Sequence, residues 1–299
     1  MINTATVIGL GLIGGSLSLD LKARGFAKKI IGVDASESHA KKALELGLVD
    51  EVRSFEAAFG DSELVILAVP VDVIEVLLPQ VFDLVGPNTA ITDMGSTKRG
   101  ISIHCRSHAR RQQFVPSHPM AGTEYSGPNA AMLGMFDGRT AVICDQELSS
   151  AAALKVIEEL YRCLGMRMIY MSSADHDLHV AYVSHLSHIS SFILANTVLD
   201  IEKNERAIFD LAAGGFESTV RLAKSSPEMW APVFEQNKEH VVSALARYIH
   251  HLQKFQQVLL DSDEEALKKM MKNANRIQRV LQNLAPNSSA RGSREDQGQ

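Results

Sequence analysis

Three segments of this chain combine residue types suited to holding and transforming a small molecule: ILAVPVDV at 66–73, TDMGSTK at 92–98 and SHPMAGTEYSG at 117–127. A histidine's unperturbed pKa lies near neutrality, so a residue of His118's type suits drawing a proton from a hydroxyl while hydride leaves the same carbon. Upstream, Gly9, Gly11 and Gly14 form G-x-G-x-x-G, with Leu12 and Ile13 inside it. Missing side chains there allow a tight strand-to-helix turn and close backbone approach to a pyrophosphate, which the amides of the following helix then face. Asp34 follows at the spacing of about 20 residues expected for an acid that accepts from the adenosine ribose. Its charge repels the extra phosphate of NADP, so NAD is the expected cofactor, with Arg24, Lys28 and Lys29 close enough in sequence to leave some NADP use open. Val69 and Pro70, where the ELVILAVP run ends, are assigned to the same cofactor site.

These residues need a scaffold that gathers strand ends. To about residue 171, short β-branched runs (TATVIGL, KIIGVD, ELVILAVP, TAITDM, FVPSHP, TAVICD, RMIYM) alternate with helical stretches. That alternation predicts an α/β, Rossmann-type doubly wound sheet, in which ligands collect outside the carboxyl ends of the strands. After 172 no strand is expected and four helices are: 174–204, 205–224, 227–260 and 263–284. Ser226-Pro227 and Ser262 with Glu265 supply capping patterns for the last two. The expected organisation is therefore a nucleotide-binding domain at 1–171, an all-α domain at 172–285 and a disordered polar tail at 286–299.

With 30 basic against 35 acidic residues, the net charge of −5 does not favour nucleic acid or an anionic membrane. The stretch 180–201 approaches membrane-span length but contains His185, His188, Asn196 and Asp200, so it reads as a buried helix of a globular domain. Cys105, Cys144 and Cys163 are widely spaced and odd in number, which fits reduced thiols, and a glycine-rich strand rather than a leader opens the chain. A cytoplasmic location is expected. His185 and His188 lie one helical turn apart, but no carboxylate-rich set accompanies them and no metal is expected. His176 and His179 share that spacing at a predicted helix start and receive no catalytic role. Trp230 is expected in the core. Val241, Val242, Leu245, Ile249 and Leu252 give the 227–260 helix more apolar positions than a small bundle covers, which predicts a homodimer through the helical domain.

Taken together, the glycine motif, DMGSTK, SHPMAGTE, SHLSH at 184–188 and GGFESTVRLAKSSPEMW at 214–230 resemble the prephenate/arogenate dehydrogenase family, from Thr4 to about Leu284. The resemblance implies oxidative decarboxylation of a cyclohexadienol, with prephenate favoured over arogenate. It places His118 on the catalytic histidine, Ser96 on its neighbour, Glu124 on the acid after HPMAG and Arg221 on the substrate-binding arginine. His185 and His188 fall on the substrate-binding motif of the helical domain, where the family's HLPH reads HLSH and a helix-kinking proline is absent. Some relatives continue into a ligand-sensing domain. The polar tail here leads us to expect any tyrosine inhibition to be competitive at the active site.

Structural readings stand beside these. The glycines make a tight turn and Asp34 caps a helix; His118 is a loop histidine bonded to backbone; Arg221 sits in a surface ion pair; Ser96 and Lys98 open the next helix. Two other functions use the same plan, a 3-hydroxyacid dehydrogenase and a non-enzymatic NAD-responsive dimer.

Overall fold

The computed structural model describes residues 1–203, 206–211 and 213–284. Two compact units are present, Met1–Val242 and Ser243–Gln299. The first opens with β1 (Ile2–Ile8), α1 (Leu12–Ala23), β2 (Ala27–Val33), α2 (Glu37–Glu45), β3 (Glu51–Val52), β4 (Leu64–Leu67), α3 (Val71–Leu84), β5 (Ala90–Asp93), α4 (Arg99–His104) and β6 (Phe114–Val115). The six strands form one parallel sheet in the order β3-β2-β1-β4-β5-β6, a doubly wound sheet that reverses direction between β1 and β4. Along β4, Leu64 and Ile66 enter the core on one face and Val65 and Leu67 the core on the other. An unbroken apolar run is what a parallel strand covered on both sides requires.

FVPSHP, expected as one strand, is two. Pro116 has no N–H to give a ladder and separates β6 from β7 (Ser117–Pro119), while its carbonyl accepts from the Cys144 amide at 2.9 Å. With β8 (Thr140–Cys144), α5 (Ala151–Cys163) and β9 (Arg167–Met171), β7 builds a second sheet of order β7-β8-β9, antiparallel and then parallel. His118 thus sits on a strand of its own sheet, just past the edge strand of the first. The two-residue strand β3 was not anticipated, being too short to show a period.

No strand follows among the described residues, and the expected long helices are more broken than their patterns. The 174–204 stretch comprises α6 (Ser173–Val180), a π-helical turn at Ala181–His185 and α7 (Leu186–Glu202). The helix is therefore irregular next to Ser187 without a proline, and such π turns concentrate at functional sites. The expected 205–224 helix is a 3₁₀ segment at Arg206–Leu211, then α8 (Gly214–Val220) and a 3₁₀ turn at Arg221–Lys224. The next stretch divides at Asn237 into α9 (Pro227–Gln236) and α10 (Lys238–Leu260), and α11 (Glu264–Ala274) and α12 (Ile277–Leu284) complete the chain described. Ser226 caps α9 by accepting from the Met229 amide. α11 is capped by Asp263, whose Oδ1 accepts from the Ala266 amide at 2.8 Å, while Ser262 takes a left-handed conformation just before it and forms no capping box.

The stretch expected as a buried helix is largely uncovered. Of α7 only Ser191 is buried, whereas Ile193, Leu199 and Ile201 are exposed. No helix among the described residues is long and apolar enough to cross a membrane. The expected disordered tail at 286–299 lies outside the described residues.

Candidate active site

The glycine turn is shaped by contacts that exclude any side chain. A Cβ on Gly14 would stand 1.9 Å from the Gly9 carbonyl oxygen, and one on Gly9, at φ +93°, would stand 2.4 Å from that of Ala68 and 2.8 Å from Val69 Cγ1. The chain therefore leaves β1 in a turn only glycine makes and packs α1 tightly under it. Gly11, the N-cap of α1, has room for a side chain, a Cβ there standing 4.0 Å from the Gly127 amide nitrogen, and no side chain caps the helix, whose first turn carries no acidic residue. The amides of Leu12, Ile13 and Gly14 are thus left without the usual capping oxygen, a donor set that fits a pyrophosphate. Asp34 ends β2 with one carboxylate oxygen accepting from the Leu10 amide at 2.8 Å and the other from the Ser36 amide at 2.9 Å. Those bonds aim the carboxylate and leave lone pairs for hydroxyl donors. Val69 is half-buried beside Gly9, and Pro70 is exposed at the start of α3.

His118 on β7 is 8% exposed. Its Nδ1 lies 2.9 Å from His176 Nε2, and His176 Nδ1 lies 2.7 Å from Asp177 Oδ1. The Asp177 carboxylate also accepts the Lys98 amide at 2.8 Å and the Arg99 amide at 2.9 Å, which ties α6 to the start of α4. Asn237 Nδ2 donates to the Asp177 carbonyl at 2.7 Å and lies 3.2 Å from His185 Nδ1. His118 and His185, far apart in sequence, are therefore joined through Asp177 and Asn237. Beneath them, Lys98 Nζ is ion-paired with Asp93 Oδ2, both side chains fully buried, and Asp93 Oδ1 accepts from the Ser117 amide at 3.2 Å.

Burial sets the protonation here, because a charged imidazole loses its hydration without full repayment. His118 is pushed well below the usual histidine value, by burial first and then by His176, Lys98 and His185. Its imidazole is neutral at physiological pH. Burial alone would raise the Asp177 carboxyl, but hydrogen bonds from His176, Arg99 and Lys98 outweigh it and hold the group below the ordinary carboxylate range. His185 is pushed down to about 4 by burial. Between about pH 6.5 and 4 the unfolded chain takes up a proton at this position while the folded chain does not. We therefore expect folding stability to fall across that window, by up to about 3 kcal/mol from His185. Urea denaturation at stepped pH checks this, and His185→Phe should flatten the slope.

The remaining expected residues fall in place unevenly. Arg221 Nη1 donates to Glu124 Oε2 at 2.9 Å, with Glu124 mostly covered and Arg221 half-exposed. His188 stacks on Trp230 at a ring distance of 3.5 Å and sits 3.1 Å from the Ser184 carbonyl. Trp230 is buried with Val71, Val233, Phe192 and Phe234 in a small core. Ser96 is half-buried in the β5–α4 loop, two positions before Lys98. His176, Asp177 and Asn237 were missed. The His-Asp dipeptide was the available signal, but a helix start normally faces water, and burial by α4 cannot be read from local spacing.

Comparison with known proteins identifies the family. The family model described as "prephenate dehydrogenase, nucleotide-binding domain" matches residues 17–170, and "prephenate dehydrogenase, dimerization domain" matches residues 172–273. Prephenate dehydrogenase of Bacillus subtilis is 31% identical over 92% of this chain and 75% of its own length. Cyclohexadienyl dehydrogenase of Zymomonas mobilis is 29% identical over 92% of this chain and 94% of its own. The crystal structure of prephenate dehydrogenase from Aquifex aeolicus, in complex with hydroxyphenyl propionate and NAD+, superposes with a TM-score of 0.84 at 28% identity, covering 94% of this chain and 98% of that one. A doubly wound nucleotide-binding sheet, a buried histidine on the small sheet that follows it and matches along both parts of the chain place this protein in the prephenate/arogenate dehydrogenase family of oxidoreductases.

Proposed function

We propose that this chain oxidatively decarboxylates prephenate to 4-hydroxyphenylpyruvate, with NAD as acceptor, as a homodimer. The observation that carries the reading is His118, a buried neutral imidazole with Nδ1 engaged by His176 and Nε2 left for a substrate hydroxyl. NAD supplies the hydride acceptor when bound, through the uncapped amides of α1 and the Asp34 carboxylate. His118 takes the proton of the ring hydroxyl, which makes hydride loss from that carbon easier. Ser96, half-buried on the β5–α4 loop, is assigned as a neighbour of the base, and half-buried His188 as a substrate contact from the helical region, while fully buried His185 acts from behind through Asn237. Loss of carbon dioxide leaves an aromatic ring, so the reaction runs one way.

Prephenate is favoured over arogenate because the B. subtilis and A. aeolicus relatives carry that name; the two carboxylates that both compounds carry suit a planar guanidinium such as that of Arg221. Assays of NADH formation with prephenate, arogenate and a 3-hydroxyacid test the reading. Turnover confined to arogenate or to the hydroxyacid would replace it, and silence with all three would favour an NAD-responsive dimer. For Arg221→Ala we expect a KM for prephenate raised roughly 10- to 100-fold with NAD affinity unchanged, the loss of one charge-assisted contact. A defect confined to NAD binding would reassign Arg221.

The dimer is supported by apolar side chains left uncovered on single helices, Ile193, Leu199 and Ile201 on α7 and Ile249, Leu252 and Leu259 on α10. Of the positions named from sequence, Val241 is already buried within the single chain. Light scattering giving a dilution-stable monomer of 32.7 kDa would rule the dimer out. We also assign 172–285 as the helical substrate and dimerisation region, although the helices to Val242 belong to the first compact unit.

A further inference from the structure

The His118–His176–Asp177 chain has a direction that its atoms impose. An ionised carboxylate only accepts, so the 2.7 Å contact requires the proton on His176 Nδ1. Neutral His176 then offers a lone pair at Nε2, and the 2.9 Å contact requires the proton on His118 Nδ1. What remains on His118 is a lone pair at Nε2. Asp177 is held in its accepting role from other sides, by the amides of Lys98 and Arg99 on its carboxylate and by Asn237 on its carbonyl. His176 and Asp177 are almost fully buried, so water does not compete for these bonds.

We propose that His176 and Asp177 are positioning residues for the reaction, forming a carboxylate–imidazole–imidazole relay that sets the tautomer of His118 and takes up the charge it acquires. The inference rests on His118 being the base. In the step concerned, the substrate O–H bond breaks and a bond forms from that proton to His118 Nε2. The proton on His118 Nδ1 then passes to His176 Nε2, leaving His118 neutral and His176 an imidazolium against the Asp177 carboxylate. One proton enters the chain and one charge is displaced inward, towards a fixed anion. Lys98 Nζ and His185 are the other titratable groups acting on His118, and both disfavour a positive charge there. A neighbour that removes the charge from the first imidazole is therefore of use.

The test has a spectroscopic and a kinetic arm. In protein carrying ¹⁵N-labelled histidine, without substrate and near neutral pH, His118 is identified by the signal that His118→Asn removes. We expect its Nε2 to show the unprotonated shift; a protonated Nε2 in the unmodified protein overturns the proposal without recourse to any variant. His176→Phe removes the acceptor, so His118 should move its proton to Nε2 and kcat should fall by about 10²- to 10⁴-fold, the scale seen when a relay imidazole adopts the wrong tautomer. The KM for prephenate and the calorimetric affinity for NAD should change little. His176→Gln, whose side-chain carbonyl can accept from Nδ1–H, should recover part of the loss, which a merely structural role does not predict. If His118→Asn is inactive while His176→Phe keeps kcat within about two-fold, the relay is rejected and the base stands. If His118→Asn itself turns over normally, the reading of the base fails, and the relay with it.

Discussion

His118→Asn is expected to lower kcat by about 10²- to 10⁴-fold, the usual contribution of a positioned general base, while NAD affinity measured by calorimetry stays within a few-fold. The reason for the split is that His118 stands on β7, apart from the glycine turn, so removing its imidazole leaves the dinucleotide donors in place. Asparagine retains polar atoms for His176 and cannot accept a proton at neutral pH. The wild-type pH profile should carry the matching signature. A base must be neutral to work, and His118 is held well below its usual value of 6.5, so activity should be flat near neutrality and be lost only as pH falls through that depressed value. An acid limb centred at or above 6.5, or near-normal turnover in the variant, would remove His118 from the base role.

Lys98→Met is expected to destabilise the fold by about 3–5 kcal/mol, measured by urea denaturation, because it strips the counter-ion from a carboxylate with no access to water. Asp93 would keep only the amides of Gly95, at 3.0 Å, and Ser117, at 3.2 Å. The cost comes from the stranded charge, so the double variant Asp93→Asn with Lys98→Met should recover most of it. The same change should move the acid limb of activity to higher pH, since the Lys98 cation is one of the groups holding His118 down. A Lys98→Met protein as stable as the wild type would mean that the pair does not anchor this loop.

Both expectations turn on residues whose roles were unequally visible in the linear chain. The alternation of short apolar runs with helical stretches determined the doubly wound sheet, and G-x-G-x-x-G with Asp34 determined where a dinucleotide belongs. These are local patterns, because a strand's period and a glycine's freedom are properties of a few consecutive residues. The SHPMAGTE motif around His118 singled it out as the proposed base through its resemblance to a family motif. Pro116 likewise announces a break, though the strand reading ran through it.

Tertiary structure alone decided which residues stand behind His118. His176 and Asp177 occupy a helix start that local rules assign to solvent, and only the packing of α6 against the start of α4 buries them and sets the Asp177 carboxylate at the end of the hydrogen-bonded chain to His118. Lys98 looked like an ordinary first-turn residue until the Asp93 carboxylate was found beside it in the interior. The exposed apolar face of α7 was hidden in the opposite way, since an apolar run states that a helix wants burial and is silent on what supplies it. Sequence period reports a residue's neighbours along the chain, whereas burial and charge pairing depend on neighbours across it, and those set the protonation state of His118.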